Sequence, residues 1–212
     1  NGLGRNFAAF LVIFGVWAMQ SLATEEQYDI AIVGGRVVDP ESGLDAVRNV
    51  GISGDKIVAI SEASMRAKRI IDARGRVVSP GFIDMHAHGQ SIAAGRMQAL
   101  DGVTTALDLE AGFLPVSDFY DRRAQDGSPI NYGASVNWAN ARIATFLDEK
   151  PVADLQWFMD SFAHPEWQKQ VATPEQAAKI MAYVKEGLDQ GGLGIGILVG
   201  YAPGTGHKEY YA

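Results

Sequence analysis

Cysteine is absent from this chain of 212 residues. That excludes a disulfide framework and any metal site built on thiolates. An excess of positive charge is absent too: 18 Lys and Arg stand against 25 Asp and Glu, for a net charge of −7. No basic face for a nucleic acid follows from such a balance, and the acidic excess speaks only for solubility. A long apolar run is also missing. The run Phe7–Met19 falls short of the roughly 20 apolar residues that a membrane span needs. What is present is 47% hydrophobic content, enough for one or two ordinary domains.

The short apolar run has a different reading. Arg5 precedes it, and Ser21-Leu22-Ala23 follows it with small residues at the end. A positive residue, an apolar stretch and a small-residue site form the grammar of a secretory signal. Residues 1–23 are therefore expected to be a signal peptide, cut after Ala23. A retained N-terminal anchor is the alternative. Cleavage implies a secreted or periplasmic protein with no stable membrane association afterwards. The chain does not begin with methionine, so its recorded start need not be its true one.

Residues 24–79 read as a small antiparallel β region. Tyr28–Val33 alternates into Gly34-Gly35, a turn signal, and Arg36–Asp39 runs to Pro40. Asn49–Ser53 and Lys56–Ile60 flank Gly54-Asp55 at hairpin spacing. Arg69–Asp72 and Arg76–Val78 flank Gly75.

From Pro80 the grammar changes. Pro80-Gly81-Phe82-Ile83-Asp84-Met85-His86-Ala87-His88 reads as a short strand that ends in two histidines. Side chains at i and i+2 of a strand share a face. His86 and His88 thus form a natural pair of ligands for a divalent metal such as zinc. Asp84 lies on that face one step deeper, where it could orient a ligand histidine. Strands and helices then alternate. Helices are expected over Ser91–Leu100, Val116–Ala124 and from Thr173 to about Gln190, the last with Thr173 as cap and Pro174 in its first turn. Strands are expected over Val103–Leu109, Tyr132–Trp138 and Leu193–Val199. Such alternation means a parallel sheet. The run Gly192-Leu193-Gly194-Ile195-Gly196 follows a helix rather than opening one, which excludes a dinucleotide-binding loop. Its glycines permit the helix stop and close packing of a strand.

The segment Val78–His88 resembles the opening of the amidohydrolase superfamily barrel. The similarity extends roughly from Tyr28 to Gly204. Gly102-Val103-Thr104-Thr105, Gly187–Gly194 and Tyr201-Ala202-Pro203-Gly204 look most like the N-acyl-D-amino-acid deacylase branch. The resemblance implies a (β/α)8 TIM-type barrel, of which residues 80–212 would be about the first half. It also implies that residues 24–79 are part of a small β-sandwich domain. The chain would then be an N-terminal fragment. His86 and His88 would bind the catalytic metal, Zn2+, as one or two divalent ions.

Barrel active sites sit at the C-terminal strand ends. Those ends carry His86/His88, Asp108/Glu110, Asn137/Asn140 and Tyr201. In the deacylase branch the second strand ends in a cysteine ligand. Here that position falls on Ala111, one residue after Glu110, which is expected to substitute as an oxygen ligand. Asp108 would support the site from behind, and Tyr201 would bind substrate. The catalytic carboxylate and the later ligands would lie beyond residue 212. Other branches use a modified lysine on the fourth strand, and Leu193–Val199 has none. His164 reads as a surface residue and His207 as a helix-start residue.

A metal at this place would acidify a bound water and polarise an amide carbonyl. The expected function is hydrolysis of the C–N bond of a small N-acyl-amino acid, most simply an N-acyl-D-amino acid. The alternatives are another amidohydrolase acting on a cyclic amide or dipeptide, and a non-catalytic barrel relic.

Overall fold

The computed structural model describes residues 27–89 and 91–198. The expected signal segment, Tyr201 and His207 lie outside the described residues. The chain divides between Pro80 and Gly81 into two compact units. Among the described residues no helix is long and apolar enough to cross a membrane.

The first unit is one five-stranded sheet: β1 (Gln27–Asp39), β2 (Leu44–Ser53), β3 (Lys56–Ser61), β4 (Arg66–Asp72) and β5 (Val77–Val78). β3, β2 and β1 are antiparallel neighbours, and Gly54-Asp55 makes the expected hairpin between Ser53 and Lys56. Gly54 has φ 60°, which a primed hairpin turn requires of its first central residue.

Two expectations are corrected here. Gly34-Gly35 is not a turn. β1 runs straight through it, with a bulge where its register to β2 shifts between Ile32 and Gly35. Gly34 supplies the left-handed backbone at φ 73°, and its N–H donates to Asn49 Oδ1 at 2.8 Å. The sheet is also mixed rather than antiparallel, since β4 and β5 both run parallel to β1. The 13-residue β1 is long enough to take β4 along Gln27–Val33 and β5 along Arg36–Val37. The segments on either side of Gly75 therefore pair with β1 and not with each other.

The second unit is a parallel sheet in the order β6 (Phe82–Asp84), β7 (Val103–Phe113), β8 (Asn131–Asn137), β9 (Ile195–Gly196). Each strand is added beside its predecessor in chain order. α1 (Ile92–Leu100) joins β6 to β7, and α2 (Val116–Asp126) joins β7 to β8. Between β8 and β9 lie α3 (Trp138–Phe146), α4 (Leu155–Asp160), α5 (Glu166–Lys169) and α6 (Pro174–Asp189).

Local chemistry sets these boundaries. Ser91 caps α1 by accepting from Ala94 N, and Asn137 caps α3 by accepting from Asn140 N. Thr173 and Gln176 form a reciprocal capping box at α6, with Pro174 in the first turn as expected. Gly187 and Gly192 let α6 and its exit lie on β8: a Cβ on either would meet Val136 at 2.6 Å. The core gathers Leu114, Val116, Val136, Ala141, Ile180 and Val184 between sheet and helices. A second cluster of Ala139, Ile143, Trp167 and Leu198 lies beside it.

Candidate metal centre

The two histidines stand just past the end of β6, held against β7. Ala87 N donates to Leu107 O at 3.0 Å. Asp84 Oδ1 accepts the backbone N–H of His86 at 3.0 Å. Asp84 thus fixes the His86 main chain in a local turn. Ala87 is buried at 3% exposure, while His86 and His88 stand out on the other side.

Glu110 reaches them through a bulge. Asp108 pairs with Ala134 and Phe113 with Val136, so five steps along β7 match two along β8. The extra residues loop out of the ladder. Gly112 turns the loop at φ 70° and gives its N–H to Asp108 Oδ1 at 2.9 Å. Ser135 Oγ closes the loop from β8, donating to Leu109 O at 3.0 Å. A Cβ on Gly112 would meet Ser135 O at 2.2 Å, and one on Gly196 would meet Glu110 O at 2.6 Å. Both glycines are demanded by close backbone approach. A one-residue offset from a regular strand would turn Glu110 to the wrong face. The bulge removes that constraint.

The result is a compact donor set. His86 Nε2 lies 3.1 Å and His88 Nε2 3.0 Å from Glu110 Oε2. The two Nε2 atoms are 3.0 Å apart. The rings meet edge to face at 85°. Zinc takes nitrogen and oxygen ligands at about 2.0–2.2 Å, so donors on one tetrahedral ion sit about 3.3–3.6 Å apart. The observed spacings lie within a few tenths of an ångström of that range, and His86, His88 and Glu110 are a group that could hold a metal ion. Asp108, 5% exposed, places Oδ2 3.5 Å from His88 Nδ1, behind the ring and opposite the Nε2 atom that joins the group. A carboxylate in that place orients an imidazole. Of the two aspartates expected to support the site, Asp108 faces an imidazole and Asp84 holds the main chain.

Beside the donors opens a cavity of about 420 Å3. His88, Asp108 and Glu110 form one wall, Asn137 and Asn140 another, and Phe113, Leu155, Phe158 and Leu198 the apolar remainder. Asn140 Oδ1 is buried there without a hydrogen-bond donor. Trp167, fully buried, packs its ring near Phe158 and Phe162 and donates Nε1–H to Ser161 O at 2.8 Å. The buried Arg142 of α3 donates to Trp167 O and Gln170 O. These contacts fix the segment that carries Leu155 and Phe158. Sequence reasoning missed that segment; its only signal is the density of aromatics from Trp157 to Trp167. A larger cleft of about 730 Å3, at the opposite ends of β7 and β8, has no His, Asp or Glu in its lining. His164 is exposed, as expected of a surface residue.

A family model described as "Amidohydrolase family" matches residues 69–195. The dihydroorotase of Anaeromyxobacter sp. (strain K) is 41% identical over 97 residues, covering 41% of this chain and 22% of that one. The N-acyl-D-glutamate deacylase of Alcaligenes xylosoxydans xylosoxydans is 46% identical over 65 residues, covering 30% of this chain and 13% of that one. The solved N-acyl-D-glutamate deacylase from Bordetella bronchiseptica, in complex with zinc and a phosphonate inhibitor, aligns at TM-score 0.66 and 22% identity. It covers 84% of this chain and 40% of its own. The chain thus spans less than half the length of each.

Proposed function

Because the chain belongs to the amidohydrolase family, we propose that it carries the first metal ligands of a hydrolase that cleaves a C–N bond in a small N-acyl-amino acid. One observation carries the reading: His86 Nε2, His88 Nε2 and Glu110 Oε2 converge within 3.1 Å of one another at the edge of a cavity. A divalent cation bound there would supply Lewis-acid polarisation of an amide carbonyl and would acidify a water. His86, His88 and Glu110 would hold it. Asp108 sets the tilt of His88, and the Gly112–Ser135 closure sets the reach of Glu110. Every described carboxylate in the cavity is engaged: Asp108 by Gly112 N–H, Asp154 by capping α4, Glu110 in the donor set. The group that moves the proton to the leaving nitrogen is proposed to lie outside the described residues, as the family resemblance implies.

The finer fold is part of the same proposal. β6–β9 would be the first half of a (β/α)8 barrel, and the first unit part of a β-sandwich domain. Export as a secreted or periplasmic protein rests on the residue pattern up to Ala23. The N-acyl-D-amino acid branch is supported by a ligand from the end of β7 and by the lysine-free run Leu193–Val199. A cyclic-amide substrate is the second reading, supported by the 41% identity to a dihydroorotase. The test is hydrolysis by the zinc-loaded full-length protein of N-acetyl-D-amino acids, their L-enantiomers and dihydroorotate, read as amine or acid release. Preferred turnover of the D-series is expected. Turnover of dihydroorotate alone would transfer the assignment to the second reading.

A further inference from the structure

We infer that the cavity beside the donor set receives an uncharged, apolar substituent of the scissile amide and rejects a carboxylate-bearing one. This rests on the amide-hydrolase reading and narrows its substrate class. The argument begins with continuity. His88 and Glu110 line the same 420 Å3 cavity as Phe113, Leu155, Phe158 and Leu198, so whatever reacts at the donors has its neighbouring group among those side chains. The volume lies in the range of small-molecule sites.

Charge comes next. Among the described residues, the ionisable side chains of the lining are His88, Asp108, Glu110 and Asp154, with neither lysine nor arginine. A carboxylate entering here would leave water, meet the carboxylates of Asp108, Glu110 and Asp154, and find no guanidinium or ammonium among the described lining residues. Its other polar neighbours are Asn137 and Asn140. Both are uncharged carboxamides: Asn137 Oδ1 accepts from Asn140 N at 2.9 Å, and Asn140 Nδ2 donates to Val152 O at 3.4 Å. These buried carboxamides form a polar side of the cavity facing an apolar wall. Phe158 is held in that wall by Phe162, at 5.3 Å between ring centres, and by Trp167, at 6.0 Å. Burying an alkyl chain against such a wall contributes about 0.8 kcal/mol per methylene, or roughly fourfold in affinity.

The experiment uses the zinc-loaded full-length protein and two readouts. The first is calorimetric affinity for acetohydroxamate, butyrohydroxamate, hexanohydroxamate, octanohydroxamate and the monohydroxamate of succinic acid. The second is kcat/KM for N-acyl-D-alanines of the same chain lengths, and for N-acetyl-D-amino acids of growing apolar side chain. Affinity should rise at least tenfold from the acetyl to the hexanoyl compound, and the succinyl compound should bind more weakly than the butyryl one. The two kinetic series separate an acyl chain from an amino-acid side chain as the occupant. Phe158→Ala should flatten the dependence. Leu155→Lys, at a residue 73% exposed, adds a cation without disturbing the core and should improve the succinyl compound several-fold. Length dependence in the hydroxamates without hydrolysis of any N-acyl-amino acid would keep the cavity and remove the proposed reaction. Hydrolysis with flat length dependence in both series, or preference for the succinyl compound, would overturn the inference.

Discussion

Two strands in this chain carry bulges, and they serve different ends. In β1 three steps, Ile32 to Gly35, match two on β2, Val50 to Arg48. The single extra residue bends the strand. A side chain, Asn49, answers it by accepting from Gly34 N and donating to Ala63 O. In β7 five steps match two. That larger loop is answered by backbone and buried polar groups, Asp108, Gly112 and Ser135, and it presents Glu110. A bulge of one residue changes the course of a strand, whereas a bulge of several builds a binding loop without leaving the sheet. The neighbours of the two glycines state the contrast. A Cβ on Gly34 would meet the flexible Arg74 side chain at 2.7 Å, and one on Gly112 would meet the Ser135 main chain.

The largest effect should come from removing what the second bulge faces. His86→Ala with His88→Ala in the full-length protein takes away two of three donors. Bound zinc, measured by elemental analysis, should fall to background, and hydrolysis with it. Unchanged stoichiometry would refute the assignment of both residues.

Gly112→Ala breaks the bulge itself. The residue stands at φ 70° with the Ser135 carbonyl in the way, and strain of this kind costs on the order of 1–3 kcal/mol. Gly127→Ala is the control. It has φ 77° with nothing within 4 Å of the added Cβ, so it carries backbone strain without the clash. Chemical denaturation should rank Gly112→Ala well below Gly127→Ala, and only the former should weaken zinc affinity. Gly34→Ala should lower stability and leave zinc affinity as it was. Equal losses of metal from Gly34→Ala and Gly112→Ala would abolish the distinction between the bulges.

Glu110→Gln tests the donor rather than its scaffold. Losing the charge while keeping the shape should cost at least about tenfold in metal affinity, more than the lower end seen when a supporting partner is removed. Glu110→Cys should retain part of the binding, since a thiolate also serves zinc. Full affinity in Glu110→Gln would transfer the donor role away from this residue.

How much of this was legible in the sequence follows the same division. The His86/His88 pair, the α6 capping box and the Gly54 hairpin each depend on residues within a few positions, and their patterns were readable. The bulges were not. Gly34-Gly35 looks the same in sequence whether the chain turns or merely kinks. The partner that decides, Asn49, is 15 residues away. The reach of Glu110 depends on Ser135, on another strand. The apolar wall escaped because α4 and α5 have 6 and 4 residues, too short to show a helical period, and α5 is held by the distant Arg142.

The smallest effect belongs to the first unit, where charge is spent on the surface rather than on a site. Asp29 ties β1 to the β2–β3 turn and to β4. From β1 it accepts from Gly54 N at 2.7 Å at the β2–β3 turn and from Lys68 Nζ at 2.7 Å on β4. The Lys68 ammonium and the Gly54 N–H hold its carboxyl below the ordinary aspartate value. The sign follows from linkage. A carboxyl whose folded pKa is depressed adds stability above its unfolded value, near 3.8, and loses it as pH falls through the lower folded value. Asp29 is open to solvent, so salt screens the pair and the effect is modest. Asp29→Asn in the full-length protein should therefore reduce stability slightly at neutral pH and flatten its decline below about pH 4. Zinc affinity at neutral pH should stay unchanged. Unfolding midpoints measured from pH 7 to pH 3, at low and high salt, check the prediction. An acid decline in the Asp29→Asn variant as steep as in the parent would show that Asp29 does not set it.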